Sequence, residues 1–279
     1  METDQNGMAA VPISSGELVI PASLTKLNVI LRLMKHLSNW REVWRPYFSG
    51  QSVPPLRFRS GLTLHHTEFD GPIPTMLEIF GDECYGKNLA PVTSGTVVDV
   101  GANIGVFSLY WAKRAKEIKI HAYEPSPQTC ATLALNIKSN GLSERVTIFG
   151  EGVGASCAPG EMWTNVPSLI ASSCDNPAPT QSAIPVTVGF VDLNEVVKRS
   201  GPVELLKIDT EGAEVGILEA ASPDTLKQIS QIVLEYHDYL CPSALARCQR
   251  LLEAANYRCV VQPDKYKSDR QGLLYAIRN

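Results

Sequence analysis

Carboxylates recur at the ends of short apolar runs in this chain, and they are the side chains best suited to chemistry. Asp99 leads into a glycine-bearing turn, Gly101-Ala102-Asn103-Ile104-Gly105. Glu124 ends the next apolar run and opens Glu124-Pro125-Ser126-Pro127, and Glu151 and Gly152 follow the third. Asp209, Glu211 and Glu214 follow the fourth run, and Glu235, His237 and Asp238 close the fifth. If these runs are parallel strands, the acids line one rim, because ligands of open α/β sheets bind outside the carboxyl ends near the point where strand order reverses. Such a rim suits a ligand that carries hydroxyls and cationic groups. His237 has an ordinary pKa near neutrality and is the candidate general base for a hydroxyl, with Asp209 and Glu211 as rivals. Together with Glu235 these acids also permit a divalent cation such as Mg²⁺ without demanding one. Glu214 would face a first helical turn, where a carboxylate favours the helix dipole with no catalytic role. Lys207, just inside the fourth run, is expected to pair with a neighbouring acid. His65 and His66 are adjacent in a strand-like stretch and so face opposite ways, which argues against a paired metal role.

The glycine spacing narrows the ligand. Thr96 to Ser108 reads as a buried strand that breaks at glycine into a helix. Gly101 allows a tight turn and close approach of a ligand, and Gly105 lets the new helix pack near the sheet. Glu124, at the end of the second strand, stands where a ribose offers two hydroxyls. A dinucleotide site uses G-x-G-x-x-G to seat a pyrophosphate on the helix N-terminus. Here the pattern is D-x-G-x-x-x-G, with Asn103 near the middle glycine's place and Asp99 available to an ammonium group. That pattern fits S-adenosylmethionine better than NAD.

The elements that must hold these residues alternate. Strands are expected at Thr96 to Val100, Ile118 to Tyr123, Val146 to Phe149, Val203 to Ile208 and Ile232 to Leu234. Helices are expected near Gly105 to Ala115, Pro127 to Asn140 and Gly212 to Ala221, which makes a parallel sheet covered on both faces. After a helix at Ser243 to Asn256, the stretches Arg258 to Val261 and Leu273 to Ile277, joined by the polar run Asp264 to Gln271, form a hairpin and so an antiparallel last strand. Residues 151 to 186, rich in Ser, Pro, Gly and Ala, are expected to be an irregular insertion on the ligand face. Its Asn176-Pro177-Ala178-Pro179 lacks the final aromatic of the amino-group methyltransferase motif.

The core unit spans residues 93 to 279, behind an N-terminal extension, residues 1 to 92. The first 20 or so residues are polar and expected to be poorly ordered. From Leu24 to Trp44, the residues Leu27, Ile30, Leu31, Met34, Leu37, Trp40 and Trp44 recur at helical spacing and predict one amphipathic helix. It packs on the core, with a substrate cover or a dimer surface as alternatives, so a homodimer stays open. Leu56 to Leu64 and the residues to Phe69 read as short strands leading to an Asp70-Gly71 turn, and Pro74 to Phe80 as a short helix.

A chain of 279 residues with 44% hydrophobic residues can bury one sizeable α/β core plus an extension. Net charge of -4 and a pI near 5.8 disfavour a nucleic-acid partner. Seven scattered cysteines without a C-x-x-C pair read as reduced thiols. The sequence has no membrane-length apolar run and no secretory leader pattern, so a soluble cytoplasmic protein without a membrane partner is expected.

Four segments, Val98-Asp99-Val100-Gly101-Ala102-Asn103-Ile104-Gly105, Tyr123-Glu124-Pro125, Leu206-Lys207-Ile208-Asp209-Thr210-Glu211-Gly212-Ala213-Glu214 and Leu234-Glu235-Tyr236-His237, resemble the FkbM family of S-adenosylmethionine-dependent methyltransferases over roughly Val97 to His237. The resemblance implies a class I, Rossmann-like methyltransferase fold with a mostly parallel seven-stranded sheet, and methylation of a hydroxyl on a sugar, glycan or polyketide-type natural product. It also implies that Asp99 to Gly105 hold the methionine end, that Glu124 and Pro125 meet the ribose, and that adenine lies near Glu151 and Gly152. Two alternatives fit the sequence less well. A nicotinamide oxidoreductase lacks its third glycine and a Tyr-x-x-x-Lys pair here, and a non-catalytic binding module would not need the acids at both the fourth and fifth strand ends.

Overall fold

The structure, a computed structural model, describes residues 26–67, 71–164, 184–264 and 270–279. The polar N-terminus, the Asp70 side of the expected turn, Asn176 to Pro179 and most of the run between Asp264 and Gln271 lie outside the described residues.

The expected single N-terminal helix is two, α1 (Lys26–His36) and α2 (Trp40–Phe48). A distant hairpin, β1 (Leu56–Arg57) and β2 (Thr63–Leu64), takes over the bonding between them. Ser38 donates its N–H to the Arg57 carbonyl at 2.7 Å, Asn39 Nδ2 donates to the Pro55 carbonyl at 3.0 Å, and Asn39 Oδ1 accepts from Arg57 N. Leu37 makes an isolated bridge to Phe58. The buried stripe also differs from the expected one. Val29, Leu33 and Leu37 are sealed, whereas Leu27, Leu31 and Met34 face outward. Next come α3 (Pro72–Met76) and a π-helical turn, Leu77–Gly81.

The core follows in chain order: β3 (Ser94–Val100), α4 (Val106–Arg114), β4 (Glu117–Tyr123), α5 (Pro127–Ser139) and β5 (Val146–Phe149). After a smaller sheet of β6 (Glu151–Val153), β7 (Gly160–Thr164) and β8 (Ile184–Val191) come α6 (Leu193–Ser200), β9 (Val203–Ile208), α7 (Glu214–Ala220), α8 (Pro223–Leu226), β10 (Gln231–His237), α9 (Ala244–Ala254), β11 (Tyr257–Pro263) and β12 (Gln271–Arg278). The main sheet has the order β11-β12-β10-β9-β3-β4-β5. β12 runs antiparallel to both β10 and β11, as the C-terminal hairpin requires. The remaining pairings are parallel, and the order reverses between β3 and β9. The stretch expected to be irregular is in part this second sheet, ordered β6-β8-β7, because β8 pairs with strands on both sides.

Strands covered on both faces read as continuous apolar runs. Val97, Leu205 and Val233 point into a cluster shared with α1, α4 and the hairpin, while Val98, Leu206, Ile232 and Leu234 point into one shared with α6, α7 and α9. The N-terminal segment therefore has no separate core: Val29, Leu33 and Leu56 belong to the same cluster as Ile104 and Phe107.

One polar pair interrupts this apolar interior. Asp99 and Lys207 are register partners across β3 and β9, with carboxylate and ammonium 3.3 Å apart and both sealed from solvent. Removing one member of a buried pair strands the other charge. Lys207→Met is expected to lower the unfolding free energy by roughly 3–5 kcal/mol, measured by urea denaturation. A loss within experimental error would show that the pair carries no structural weight.

Candidate functional site

The loop after β3 is shaped by contacts that only glycine tolerates. Gly101 adopts a left-handed φ of 71°, and a Cβ there would overlap the Asp209 carbonyl oxygen. The two loops thus touch backbone to backbone at the switch point. Gly105, with φ 91°, caps α4, and a Cβ there would run into Leu133 of α5. Asn103 is also left-handed, at 49°, and its side chain accepts from Ile104 N at 2.7 Å, the local bond that makes asparagine tolerable in this conformation.

Glu124 is buried at the lip of this loop. Its Oε2 accepts from Asn103 N and its Oε1 from Ser126 N, each at 2.9 Å, so the carboxylate ties the second strand's end to the first loop. Burial pushes its pKa up to about 7 against those two N–H donors and the nearby Lys207 charge. Pro125 and Ser126 lead into α5, whose first turn is capped by Ser126.

Asp99 has a partner other than the expected ligand ammonium. It is fully buried, accepts from Ser108 Oγ at 2.7 Å and faces Lys207. Lys207 Nζ donates to the carbonyls of Gly101 at 2.6 Å and Val100 at 3.2 Å, and lies 3.6 Å from Asp209 Oδ2. Burial alone would lower its pKa, but Asp99 and Asp209 outweigh that and hold it above the usual lysine value. Lys207 is therefore a structural cation under the glycine loop, paired with acids as expected.

The ends of β9 and β10 bring Asp209, Glu211 and His237 together, one donor atom from each lying within 4.8 Å of the others. His237 is fully buried. Its Nδ1 donates to Glu214 Oε1 at 3.1 Å, and its Nε2 faces Glu211 Oε2 at 3.4 Å. The acid that fixes the imidazole is thus Glu214 of α7, which also accepts from Thr210 N, Thr210 Oγ1 and Gly212 N and so holds the whole β9–α7 loop. Burial would lower the His237 pKa, but the Glu214 bond and the Glu211 charge push it up to about 9. Glu211, left-handed at φ 52°, is held above the usual carboxylate range by burial and by Asp209 and Glu235, against the pull of His237.

Tyr85 was not legible as a site residue. Its hydroxyl donates to Glu235 at 3.1 Å and lies 3.4 Å from Asp209 Oδ2, bridging the rim from a segment more than a hundred residues upstream. Gln271 of β12 likewise donates to the other Glu235 oxygen. No local pattern marks either one, since both arrive by tertiary packing. Glu151 pairs with Arg199 of α6 at 2.5 Å, and the Gly152 backbone packs under the Phe190 ring. His66 bonds through its ring to the carbonyls of Thr67 and Pro54, away from the rim cluster.

A glycine loop and a carboxylate-bearing second strand at this switch point, on a seven-stranded sheet with an antiparallel β12, define the class I S-adenosylmethionine-dependent methyltransferase fold. The family model described as "Methyltransferase FkbM domain" matches residues 99–259, over half of the chain, and the chain belongs to the FkbM methyltransferase family. Family membership implies S-adenosylmethionine as methyl donor. The chain is 29% identical over 225 residues to Methyltransferase 1 of Beauveria bassiana, covering 72% of this chain and 88% of that one. It is 26% identical over 242 residues to the 31-O-demethyl-FK506 methyltransferase FkbM of Streptomyces tacrolimicus, covering 76% and 92%. A crystal structure of Methyltransferase FkbM from Methylobacillus flagellatus KT shares the fold with a TM-score of 0.50 and 16% identity, over 69% of this chain and 46% of that one. No helix among the described residues is long and apolar enough to cross a membrane.

If Glu124 accepts ribose hydroxyls, its charge state sets cofactor affinity. With a pKa of about 7 it is mostly neutral near pH 6 and mostly charged near pH 8. S-adenosylmethionine binding should tighten over that interval by at most about tenfold per unit, since one proton is involved. Calorimetry across the range checks this, and Glu124→Gln should flatten the profile.

Proposed function

We propose that this protein transfers the methyl group of S-adenosylmethionine to a hydroxyl of a sugar, glycan or polyketide-type natural product. The observation that carries the reading is the juxtaposition, across one reversal of strand order, of a donor-binding loop and the Asp209–Glu211–His237 cluster. In this reading the backbone of Gly101, Ala102, Asn103 and Gly105 lies along the methionine end. Asp209, which keeps some access to solvent where Asp99 is sealed, and neighbouring carbonyls receive its ammonium. Glu124 and Pro125 face the ribose, and the Glu151–Gly152 segment borders the adenine.

Methyl transfer is an in-line displacement, so alignment of acceptor oxygen, methyl carbon and sulfur supplies most of the acceleration. The chain's own contribution is to hold the acceptor oxygen at the rim cluster and to draw off its proton. Asp209, Glu211 and His237 act as a unit there, because one donor atom from each lies within 4.8 Å of the others. The name of the FK506 methyltransferase supports an oxygen acceptor, and the net charge of -4 supports a small hydroxylated acceptor over a nucleic acid. The free thiols among the described cysteines support a reducing, cytoplasmic setting.

Two measurements test the reading. S-adenosylmethionine or its demethylated product should bind with micromolar affinity and raise the melting temperature, while NAD does neither; the reverse preference sinks the methyltransferase reading. His237→Ala should keep cofactor affinity within a few fold and lose roughly 10² to 10⁴ in turnover on a hydroxylated acceptor found by screening. Turnover close to that of the parent would make His237 structural.

A further inference from the structure

The rim cluster has the donor set of a metal centre. Three side chains from two adjacent strand ends, Asp209 and Glu211 after β9 and His237 on β10, bring one ligand atom each within 4.8 Å of one another. An ion about 2.1 Å from each atom holds three such ligands roughly 3–3.6 Å apart, so a contraction of about 1–2 Å closes the site.

The imidazole supplies the second, independent observation. His237 is fully buried, and its Nε2 makes no hydrogen bond although it points into the carboxylates. Its Nδ1, in contrast, is anchored to Glu214, itself fully buried and bonded to Thr210 and Gly212. A carboxylate that fixes one ring nitrogen and leaves the other directed at an oxygen cluster is the arrangement that orients a metal-bound histidine. Charge points the same way: Asp209, Glu211, Glu214 and Glu235 gather here against Lys207 and His237. Glu235 stands outside the ligand set, since both its oxygens accept hydrogen bonds, from Tyr85 and Gln271, whereas Tyr85 on Asp209 and Tyr239 on Glu211 each meet a single oxygen.

We propose that Asp209, Glu211 and His237 Nε2 bind one divalent cation, with Glu214 as the positioning residue that orients the ring. Two carboxylate oxygens and one imidazole nitrogen suit a cation that accepts both donor types, which favours Mn²⁺ over Mg²⁺. The inference rests on the methyl-transfer reading only for what the ion does, which is to offset the carboxylates and present a positive centre to the acceptor oxygen. Ion binding itself needs neither donor nor acceptor.

The experiment uses the full chain without an affinity tag, stripped with a chelator and titrated with Mn²⁺ alone. Loss of the free-ion electron paramagnetic resonance signal should report one saturable site, and pulsed spectra of the bound ion should show coupling to a single imidazole nitrogen. Glu211→Gln, at a partly exposed position, should weaken Mn²⁺ binding at least about tenfold, and Glu214→Gln by about 10- to 100-fold. Glu235→Gln should leave it within a few fold. Saturation only at millimolar Mn²⁺, or bound Mn²⁺ without nitrogen coupling, overturns the proposal. Methyl transfer by the chelator-treated enzyme is measured separately: full turnover without metal would overturn the catalytic part of this inference while leaving the methyltransferase reading intact.

Discussion

The buried ion pair between Asp99 and Lys207 is the constraint on which the rest of the site depends. Taking two charges out of water is expensive, and it is tolerated only when good geometry and further hydrogen bonds compensate both partners. Here Ser108 bonds one Asp99 oxygen while the other faces the ammonium at 3.3 Å, and the carbonyls of Val100 and Gly101 accept from Lys207. The ammonium therefore does two things at once. It locks β3 to β9 at the point where strand order reverses, and it holds the first carbonyl of the glycine loop. Gly101 also packs against the Asp209 backbone, so the glycine loop and the rim cluster meet directly.

Burial continues to govern the chemistry from there outward. Glu124 is sealed enough to titrate near neutrality and yet ties two backbone segments together, so its contacts with the protein leave it oriented toward the loop. On the other side, Glu214 turns a tight β9–α7 loop into a socket for His237. The result is a loop side built mainly of backbone and one carboxylate, facing a rim built of ionisable side chains. The proposed sulfonium donor and hydroxyl acceptor would make complementary demands of that kind.

What could be read from the sequence follows from how local each signal is. The strands β3, β9 and β10 were legible because burial on both faces leaves unbroken runs such as Val97-Val98 and Leu205-Leu206. The rim acids were legible because parallel topology puts every strand's carboxyl end on one edge. Glu214 was read only as a first-turn acid, since its bond to His237 spans two elements. Asp99 appeared available because nothing local reveals that Lys207 is its register partner. Tyr85 and Gln271 arrive from the extension and from β12, and the break at Ser38 and Asn39 is imposed by a hairpin some eighteen residues on. A helical period by itself did not decide which stripe of α1 turns inward.

The central claim, that one loop and one rim cluster form a single methyl-transfer site, is tested most directly by a crystal structure of the protein with S-adenosylhomocysteine. The account predicts ribose hydroxyls on the Glu124 carboxylate, the amino-acid end along Gly101 to Gly105, and a sulfur facing Asp209, Glu211 and His237. A ligand whose ribose lies away from Glu124, or whose sulfur points away from that cluster, would contradict it.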